Sequence, residues 1–252
     1  MMLILSHVYN LPLRQTQGFM ESLLEIYGKS LSVPDYTTLC RRRKTLDVSK
    51  KLNKWNRKDN LVFAIDGSGL KCCGEKEWMR KKHKATRRRK FVKIHAGIDV
   101  STRHIIFSKT TSSKVHDGTV LPEALEAFGN DIDVLLADGG YDFKSSYSMT
   151  PPEVNIVIPP RSNAVIDNKT HQRNHAIKHI KEHGRTKWKR EFGYHQRSLV
   201  ENTFSRWKTI FGESMKSKIP HSQQVETTLK SVILNKMTDI GMPQFKRIYL
   251  LN

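Results

Sequence analysis

The feature that most constrains the fold is a succession of short apolar segments between residues 60 and 160. Their lengths and their content of Val, Ile and Leu predict one strand within each of the segments 61–70, 91–100, 104–113, 131–142 and 154–160. A helical pattern at residues 118–128 separates the third strand from the fourth, and further helical patterns follow the fifth. This order of elements predicts a mixed α/β layered domain.

The charge of the chain is the second constraint. The 252 residues include 44 Lys and Arg against 24 Asp and Glu, which gives a formal net charge of +20. So large a surplus opposes compaction unless it serves a polyanionic partner, and nucleic acid is the first candidate. A basic protein kept soluble by its charge, or one associated with ribosomes, is the alternative.

Apolar runs and cysteines indicate the compartment. No apolar run approaches the ~20 residues that cross a bilayer, and the three cysteines lack the spacing of metal ligands. We therefore expect reduced thiols, no membrane partner and a cytoplasmic location.

The N-terminal region has the pattern of two helices and a turn. Residues 13–27 are amphipathic, Gly28 ends the first helix, and the second helix ends in the basic residues Arg41, Arg42 and Arg43. A helix, a glycine turn and a basic helix form the helix-turn-helix pattern, whose second helix enters the major groove of DNA. Any helical hairpin with a charged face would give the same pattern.

A later segment, residues 193–212, predicts a helix with two distinct faces. At about 100° per residue, four polar side chains share an arc about 60° wide: Tyr194, Arg197, Glu201 and Lys208. The adjoining arc is apolar and consists of Leu199, Val200, Phe204, Trp207, Ile210 and Phe211. The helix should therefore pack on one side and present an acid flanked by cations on the other.

Two predicted strands end in an Asp-Gly dipeptide, at Asp66 and at Asp138. Strand ends of this kind place a carboxylate at the rim of a sheet, although an Asp-Gly is often only a turn. If the strands are neighbours, the two ionised carboxylates repel each other, and Mg²⁺ would remove that penalty. Glu201 would complete a three-carboxylate site for two metal ions and in-line phosphoryl displacement, with Arg197 and Lys208 neutralising phosphate charge.

The spacing of Tyr194, Arg197, Glu201 and Lys208 matches the signature Y-(2)-R-(3)-E-(6)-K. On this signature the chain resembles bacterial insertion-sequence transposases of the DDE class, in the IS-five-like superfamily. The segments "AIDGSGL" and "LADGGYD" are similar to the first and second aspartate blocks of the family, and residues 13–43 resemble its helix-turn-helix region.

The resemblance implies a ribonuclease-H-like fold with a mixed sheet flanked by helices, a DNA-binding region at residues 1–58 and a catalytic domain at 59–252. It implies that Asp66, Asp138 and Glu201 are the catalytic acids and the metal ligands, and that Tyr194, Arg197 and Lys208 position DNA near the scissile phosphate.

The activity that the resemblance implies is nicking of DNA at the element's ends, followed by attack of the freed 3′-OH on target DNA. The cofactor would be Mg²⁺, with Mn²⁺ able to substitute. The partners would be double-stranded terminal repeats and target DNA, bound by a homodimer in the nucleoid. Two alternatives remain: a truncated or inactive derivative that represses by binding the repeats, and another nuclease of the same fold.

Further DNA contacts are expected from basic and aromatic side chains elsewhere. A dense basic run is either a solvated hairpin or a phosphate-contacting arm, and contains Arg80, Lys81, Lys82, Arg87, Arg88 and Arg89. Arg161 is a further candidate phosphate ligand. Trp188 would either stack on an unpaired base or pack against the helix stem. Asp99 and Asp142 lie near the same strands and are left out of the predicted metal set.

Overall fold

The computed structural model describes residues 1–46, 52, 60–72, 91–168 and 171–241. The predicted basic arm, with Arg80, Lys81, Lys82, Arg87, Arg88 and Arg89, lies outside the described residues, and so does the predicted domain boundary after residue 58. Within the described part of the chain, no helix is long and apolar enough to cross a membrane.

The centre of the protein is one mixed sheet. Its strands are β1 (Leu61–Cys72), β2 (Phe91–Asp99), β3 (Ile105–Ser112), β4 (Ile132–Leu136), β5 (Asn155–Val157) and β6 (Ser214–Met215). Five strands follow the order β3-β2-β1-β4-β5, and β6 pairs with the end of β1. The β1–β2 and β2–β3 pairs are antiparallel, whereas β4 runs parallel to β1 and to β5. This arrangement confirms the α/β class and agrees with the ribonuclease-H-like fold that the resemblance implies.

Helices cover both faces of the sheet. In the described residues they are α1 (Met2–Val8), α2 (Leu13–Ile26), α3 (Tyr36–Thr45), α4 (Leu121–Phe128), α5 (Lys144–Met149), α6 (His171–His183), α7 (Arg185–Glu191), α8 (Ser198–Phe211) and α9 (Pro220–Ile240). Alternate residues of β1 enter two separate cores, as the two-residue period of a strand requires. Phe63 packs with Leu125 of α4 on one face, and Ala64 packs with Trp207 of α8 on the other.

The pairing of strand β1 extends further along its β2 neighbour than along its β4 neighbour. It continues through Asp66 to Cys72 because residues 63–71 pair with β2. The prediction that this strand ends at Asp66-Gly67 is therefore wrong. On the other side β4 pairs only with residues 61–64 of β1. Asp66 thus lies two residues beyond the last β4 pairing, at an open edge of the sheet.

Helix α9 covers the free edge of β3 with two amide side chains. Asn235 accepts a hydrogen bond from the Ile105 amide and donates one to the Ile105 carbonyl, both at 2.8 Å. Gln224 accepts from the Thr110 amide at 2.7 Å and donates to the Ser108 carbonyl at 2.8 Å. The two side chains satisfy backbone groups that a further strand would otherwise pair with.

The N-terminal helices pack against α9 rather than standing apart. Leu3 and Ile4 of α1 join the core between the sheet and α9, and the Lys44 carbonyl lies 2.7 Å from Nε2 of His221. Asp35 caps α3 by accepting a hydrogen bond from the Thr37 amide at 2.8 Å. The helix-turn-helix function of α2 and α3 stays a prediction.

Candidate active site

Asp66 lies at the open edge of the sheet and faces α8. One of its carboxylate oxygens accepts a hydrogen bond from the Gly67 amide at 2.7 Å. The other accepts from the Arg197 guanidinium at 2.8 Å, and the Asp66 side chain is 17% exposed. The aspartate is thus held from its own strand and from across the cleft.

Arg197 joins Asp66 to Glu201. Besides its contact with Asp66, the same guanidinium donates to Oε1 of Glu201, one helical turn further along the chain. The Arg197 side chain is 16% exposed and that of Glu201 is 55% exposed. Two of the three predicted acids therefore share one cation, although they are 135 residues apart in sequence (201 minus 66).

Asp138 approaches from a third element. It follows β4 and caps the short 3₁₀ turn Gly139–Tyr141, where its side chain accepts from the Gly140 amide at 2.8 Å. The negative charge of Asp138 is close enough to Asp66 to raise the pKa of Asp66. Asp138 and Glu201 therefore both lie close enough to Asp66 for their charges to act on its carboxylate.

Burial and neighbouring charges shift the pKa values of Asp66 and Tyr194. Burial raises the pKa of Asp66, and the charges of Asp138 and Glu201 raise it further, while the Gly67 amide and Arg197 oppose the change. Burial also raises the pKa of Tyr194; Arg197 opposes that shift and the two aspartates add to it. A site in which neighbouring acids raise the pKa of a buried carboxylate favours a bound cation.

The helix of this site begins later than the sequence predicts. Tyr194–Arg197 form a 3₁₀ turn after Gly193, which has φ +66°, and α8 proper begins at Ser198. Tyr194 therefore does not share a single α-helical face with Glu201. The predicted end is confirmed, because α8 stops before Gly212 at φ +74°.

The donors present are suited to a hard divalent ion. All three acids offer carboxylate oxygens, the ligands that Mg²⁺ and Mn²⁺ prefer. In the described ranges, however, no three His, Cys, Asp or Glu side chains lie close enough together to hold a metal ion. Arg197 occupies the space between Asp66 and Glu201 instead. The site fits the ion in ligand type and in its need for positive charge, provided that Arg197 gives up its contacts.

Two models of known protein families match the sequence. Residues 57–236 match a family model described as a transposase DDE domain, and residues 1–75 match a second model of the same description. The first match alone covers more than half of the 252 residues. The chain belongs to the DDE transposase family.

The transposase has a cationic cavity beside its acids. This cavity of about 440 Å³ is lined by Thr186, Lys189, Arg190, Tyr194, His195, Arg197 and Ser198. The Lys189 ammonium lies 5.3 Å from the centre of the Tyr194 ring, and the Arg197 guanidinium lies 5.6 Å from it. Lys189, Arg190 and His195 were not among the predicted site residues. The density of cations in "RTKWKREFGYHQR" was the available signal.

The other predicted DNA ligands of the transposase have different surroundings. Arg161 is exposed beside the Asp138 turn, with its guanidinium 4.7 Å from the centre of the Phe143 ring. Lys208 lies about two turns beyond Glu201 on α8. The hydrogen bond and charge of Lys71 lower the pKa of Glu213, and the charge of Lys208 lowers it further.

Burial decides between the two alternatives for Trp188, in favour of packing, and it distinguishes Arg43 from its neighbours. Trp188 is only 1% exposed and packs on Phe192 and Tyr194, with ring centres 5.6 and 5.9 Å apart. Its ring therefore supports the site from inside and has no surface on which a base can stack. Arg43, unlike exposed Arg41 and Arg42, is half-buried, with a buried Nε.

A buried ion pair supports the Asp138 turn. Arg173 of α6 donates to both oxygens of Asp142, at 2.7 and 3.1 Å, and the Asp142 side chain is fully buried. Asp142 also accepts from the Arg161 amide at 2.9 Å. Leaving Asp142 out of the metal set agrees with these contacts, but no pattern in the sequence indicated Arg173 as its partner.

Proposed function

We propose that this transposase cuts DNA at the ends of an insertion sequence and joins the freed 3′-OH to target DNA. Asp66, Asp138 and Glu201 are its catalytic acids in this proposal. The observation that carries it is that Asp66 and Glu201, from a strand and a helix, share the guanidinium of Arg197, while Asp138, from a turn, is close enough to raise the pKa of Asp66. Acids brought together from separate elements can hold the pair of divalent ions that phosphoryl transfer uses.

The same acids would hold Mg²⁺ or Mn²⁺. When bound, a pair of such ions activates the attacking oxygen and stabilises the leaving oxygen of a phosphoryl transfer. The chain's own side chains supply orientation. Lys189, Arg190 and Arg197 line the adjacent cavity and would neutralise the phosphates on either side of the cut, with Tyr194 fixing the direction of Arg197.

The proposed substrate is double-stranded DNA with terminal inverted repeats, together with target DNA. Exposed Arg41 and Arg42, at the end of α3, are proposed to contact the repeats, while Arg161 and Lys208 contact phosphates nearer the cut. A homodimer on paired ends is the proposed assembly, because two ends must be processed together. The IS-five-like subfamily, inferred from the four-residue signature, belongs to the same proposal.

Nicking of a repeat-bearing plasmid tests this function. With Mn²⁺, the unsubstituted protein should convert supercoiled plasmid to a nicked form, and Asp66→Asn should lower the rate by at least about 10³-fold because the buried carboxylate is lost. Asp133→Asn is the control, since Asp133 is an exposed acid on β4, the strand before Asp138.

Three results would distinguish the alternatives. Binding of the repeats without nicking by the unsubstituted protein would favour a repressor derived from a transposase. Nicking without any dependence on repeats, and without strand-transfer products, would favour a different nuclease of the same fold. Equal rates for Asp66→Asn and the unsubstituted protein would refute the assigned site.

A further inference from the structure

A second polar cluster lies behind Asp66, on the opposite face of the sheet. Lys93 donates to Oδ1 of Asp117 at 2.9 Å and to the Val115 carbonyl at 3.0 Å. Nδ1 of His95 lies 3.6 Å from the same Asp117 oxygen. The register pairs Gly67 with His95, and neighbouring residues of a strand point to opposite faces. We call Lys93, His95, Asp117 and Tyr141 the Asp117 cluster.

Asp117 lies close to the backbone of β1 at Gly67, the residue after Asp66. A methyl group built on Gly67 would lie 2.8 Å from Oδ1 of Asp117 and 3.3 Å from Nδ1 of His95. Only a glycine at this position lets the carboxylate sit so close to the strand. A displacement of Asp117 toward β1 would therefore press on Gly67, the residue next to Asp66.

Tyr141 extends the cluster toward Asp138. Its side chain is fully buried, and its hydroxyl has no hydrogen-bond partner in the described part of the chain. Burial raises the pKa of Tyr141 well above its usual value, and the charges of Asp117, Asp66 and Asp138 raise it further. The phenol is therefore close enough to Asp117, Asp66 and Asp138 for their charges to act on it.

The two turns that carry Asp117 and Asp138 also pack together. A methyl group on Gly118 would lie 2.6 Å from the Phe143 ring, and the His116 and Phe143 ring centres are 5.1 Å apart. The Asp117 turn is thus in contact with β1 on one side and with the Asp138 turn on the other.

Stability alone does not account for the cluster. The Lys93–Asp117 pair is 24% and 28% exposed, and pairs of this kind stabilise a fold little. Neither the buried His95 Nδ1, at 3.6 Å from Asp117, nor the Tyr141 hydroxyl has a hydrogen-bond partner among the described residues, and buried polar atoms without hydrogen bonds cost stability. A separate cation site is also disfavoured, because Lys93 already neutralises Asp117. Locally costly arrangements of this kind are typical of functional sites.

We propose that Asp117 is a positioning residue, which sets the separation of Asp66 and Asp138 through its close approach to Gly67 and the packing of its turn against the Asp138 turn. This inference rests on the proposed function, because it requires the two aspartates to act together. It assigns no contact with DNA to Asp117. Its loss should slow the chemical step and leave DNA affinity unchanged.

The test compares nicking rate with DNA affinity. Asp117→Asn keeps the shape and removes the charge that holds Lys93; we expect nicking at saturating DNA to slow by about 10- to 100-fold, as for residues that orient ligands. The dissociation constant for repeat DNA should stay within about twofold. The matched control is Glu123→Gln, which breaks the comparable Lys109–Glu123 pair, 2.8 Å apart, and should change neither quantity.

A double-mutant cycle isolates the contact itself. Gly67→Ala should slow nicking by pushing Asp117 away, and Asp117→Ala should slow it by removing the carboxylate. The double variant should be no slower than the slower single variant, because both changes break one contact. If Asp117→Asn fails to fold, Gly67→Ala alone decides, since it keeps every charge of the cluster.

The outcomes separate this inference from the proposed function. Rates like that of the unsubstituted protein for Asp117→Asn, or for Gly67→Ala if Asp117→Asn does not fold, would overturn only the positioning role, provided that Asp66→Asn is inactive. Additive losses in the cycle would overturn it as well. Absence of nicking by the unsubstituted protein would overturn the proposed function and this inference with it.

Discussion

At the scale of single residues, Arg197 is the most informative side chain. It contacts Asp66 at 2.8 Å and also donates to Glu201, and it lines the cationic cavity. Burial by itself would lower the pKa of Arg197, but Tyr194 and the two acids outweigh that effect and raise it. Arg197 therefore stands where the acids demand a positive charge, and a metal ion must compete with it.

Replacing Arg197 should have opposite effects on metal binding and on catalysis. In Arg197→Gln we expect Mn²⁺ to bind about tenfold more tightly in the absence of DNA, equivalent to about 1.4 kcal/mol, because the competing cation is gone. Nicking should nevertheless fall, since a phosphate ligand is lost. Titration of Mn²⁺ without DNA measures the first effect, with Arg190→Gln as a control from the same cavity. Weaker Mn²⁺ binding by Arg197→Gln would contradict the competition.

The sequence predicted the candidate catalytic acids but not the residues that pack around them. Asp66, Asp138, Glu201 and Arg197 follow from strand ends and from spacing along one segment, which are local patterns. Asp117 was missed although it also belongs to an Asp-Gly dipeptide, because it follows a turn and not a strand. Its contact with Gly67 spans 50 residues (117 minus 67) and depends on how two turns pack, which periodicity does not encode.

At the scale of elements, α9 shows how a helix protects a sheet. The sequence places Val225, Leu229, Val232 and Ile233 at helical spacing; Val225, Leu229 and Ile233 are buried, and Val232 is half-buried. The same helix also buries polar side chains, and Glu226 and Lys230 form an ion pair at 2.8 Å. The apolar positions predict the helix. They do not predict that the side-chain amides of Gln224 and Asn235 bond to the edge of β3, because that contact depends on the position of the strand.

The edge contact of Asn235 gives a stability prediction. In Asn235→Ala the amide and carbonyl of buried Ile105 lose their helix partner, and we expect a loss of about 1–3 kcal/mol in the free energy of unfolding. Urea unfolding measures this loss. Asn202→Ala, at an exposed position of α8, is the matched control and should change stability by less than about 0.5 kcal/mol. Equal stabilities of the two variants would show that the edge contact contributes nothing.

At the scale of the whole molecule, N-terminal and C-terminal segments form one buried polar centre. His7 of α1 is 4% exposed, and Glu226 and Lys230 of α9 act on it. Burial lowers the pKa of His7 from 6.5 to about 4, although the charge of Glu226 opposes the shift. Burial also lowers the pKa of His95 to about 4. The folded protein therefore keeps both histidines neutral at pH values where the unfolded chain would protonate them.

Stability should consequently fall in mild acid. Between pH 6.5 and about 4 the unfolded state binds protons that the folded state does not, so unfolding becomes more favourable as the pH decreases. Across this window each histidine lowers the free energy of unfolding by up to about 3 kcal/mol, and above pH 6.5 it has no such effect. Denaturant unfolding from pH 7.5 to pH 4.5 checks this, and His7→Gln should flatten the slope. An unchanged slope in His7→Gln would contradict the burial of a neutral histidine.

The division into a DNA-binding region at 1–58 and a catalytic domain at 59–252 remains a prediction. The net charge of +20 correctly indicated a DNA-acting family, since composition reports the partner class without requiring a fold. Composition does not show that α1 and α3 pack against α9, because that contact joins segments about 200 residues apart.

The central claim is that Asp66, Asp138 and Glu201 form one cation site. Titration of the DNA-free protein with Mn²⁺, followed by electron paramagnetic resonance, tests it most directly. Asp66→Asn, Asp138→Asn and Glu201→Gln should each weaken Mn²⁺ binding by at least about tenfold, while Asp133→Asn leaves it unchanged. Equal Mn²⁺ affinity in the unsubstituted protein and in all three variants would contradict the claim.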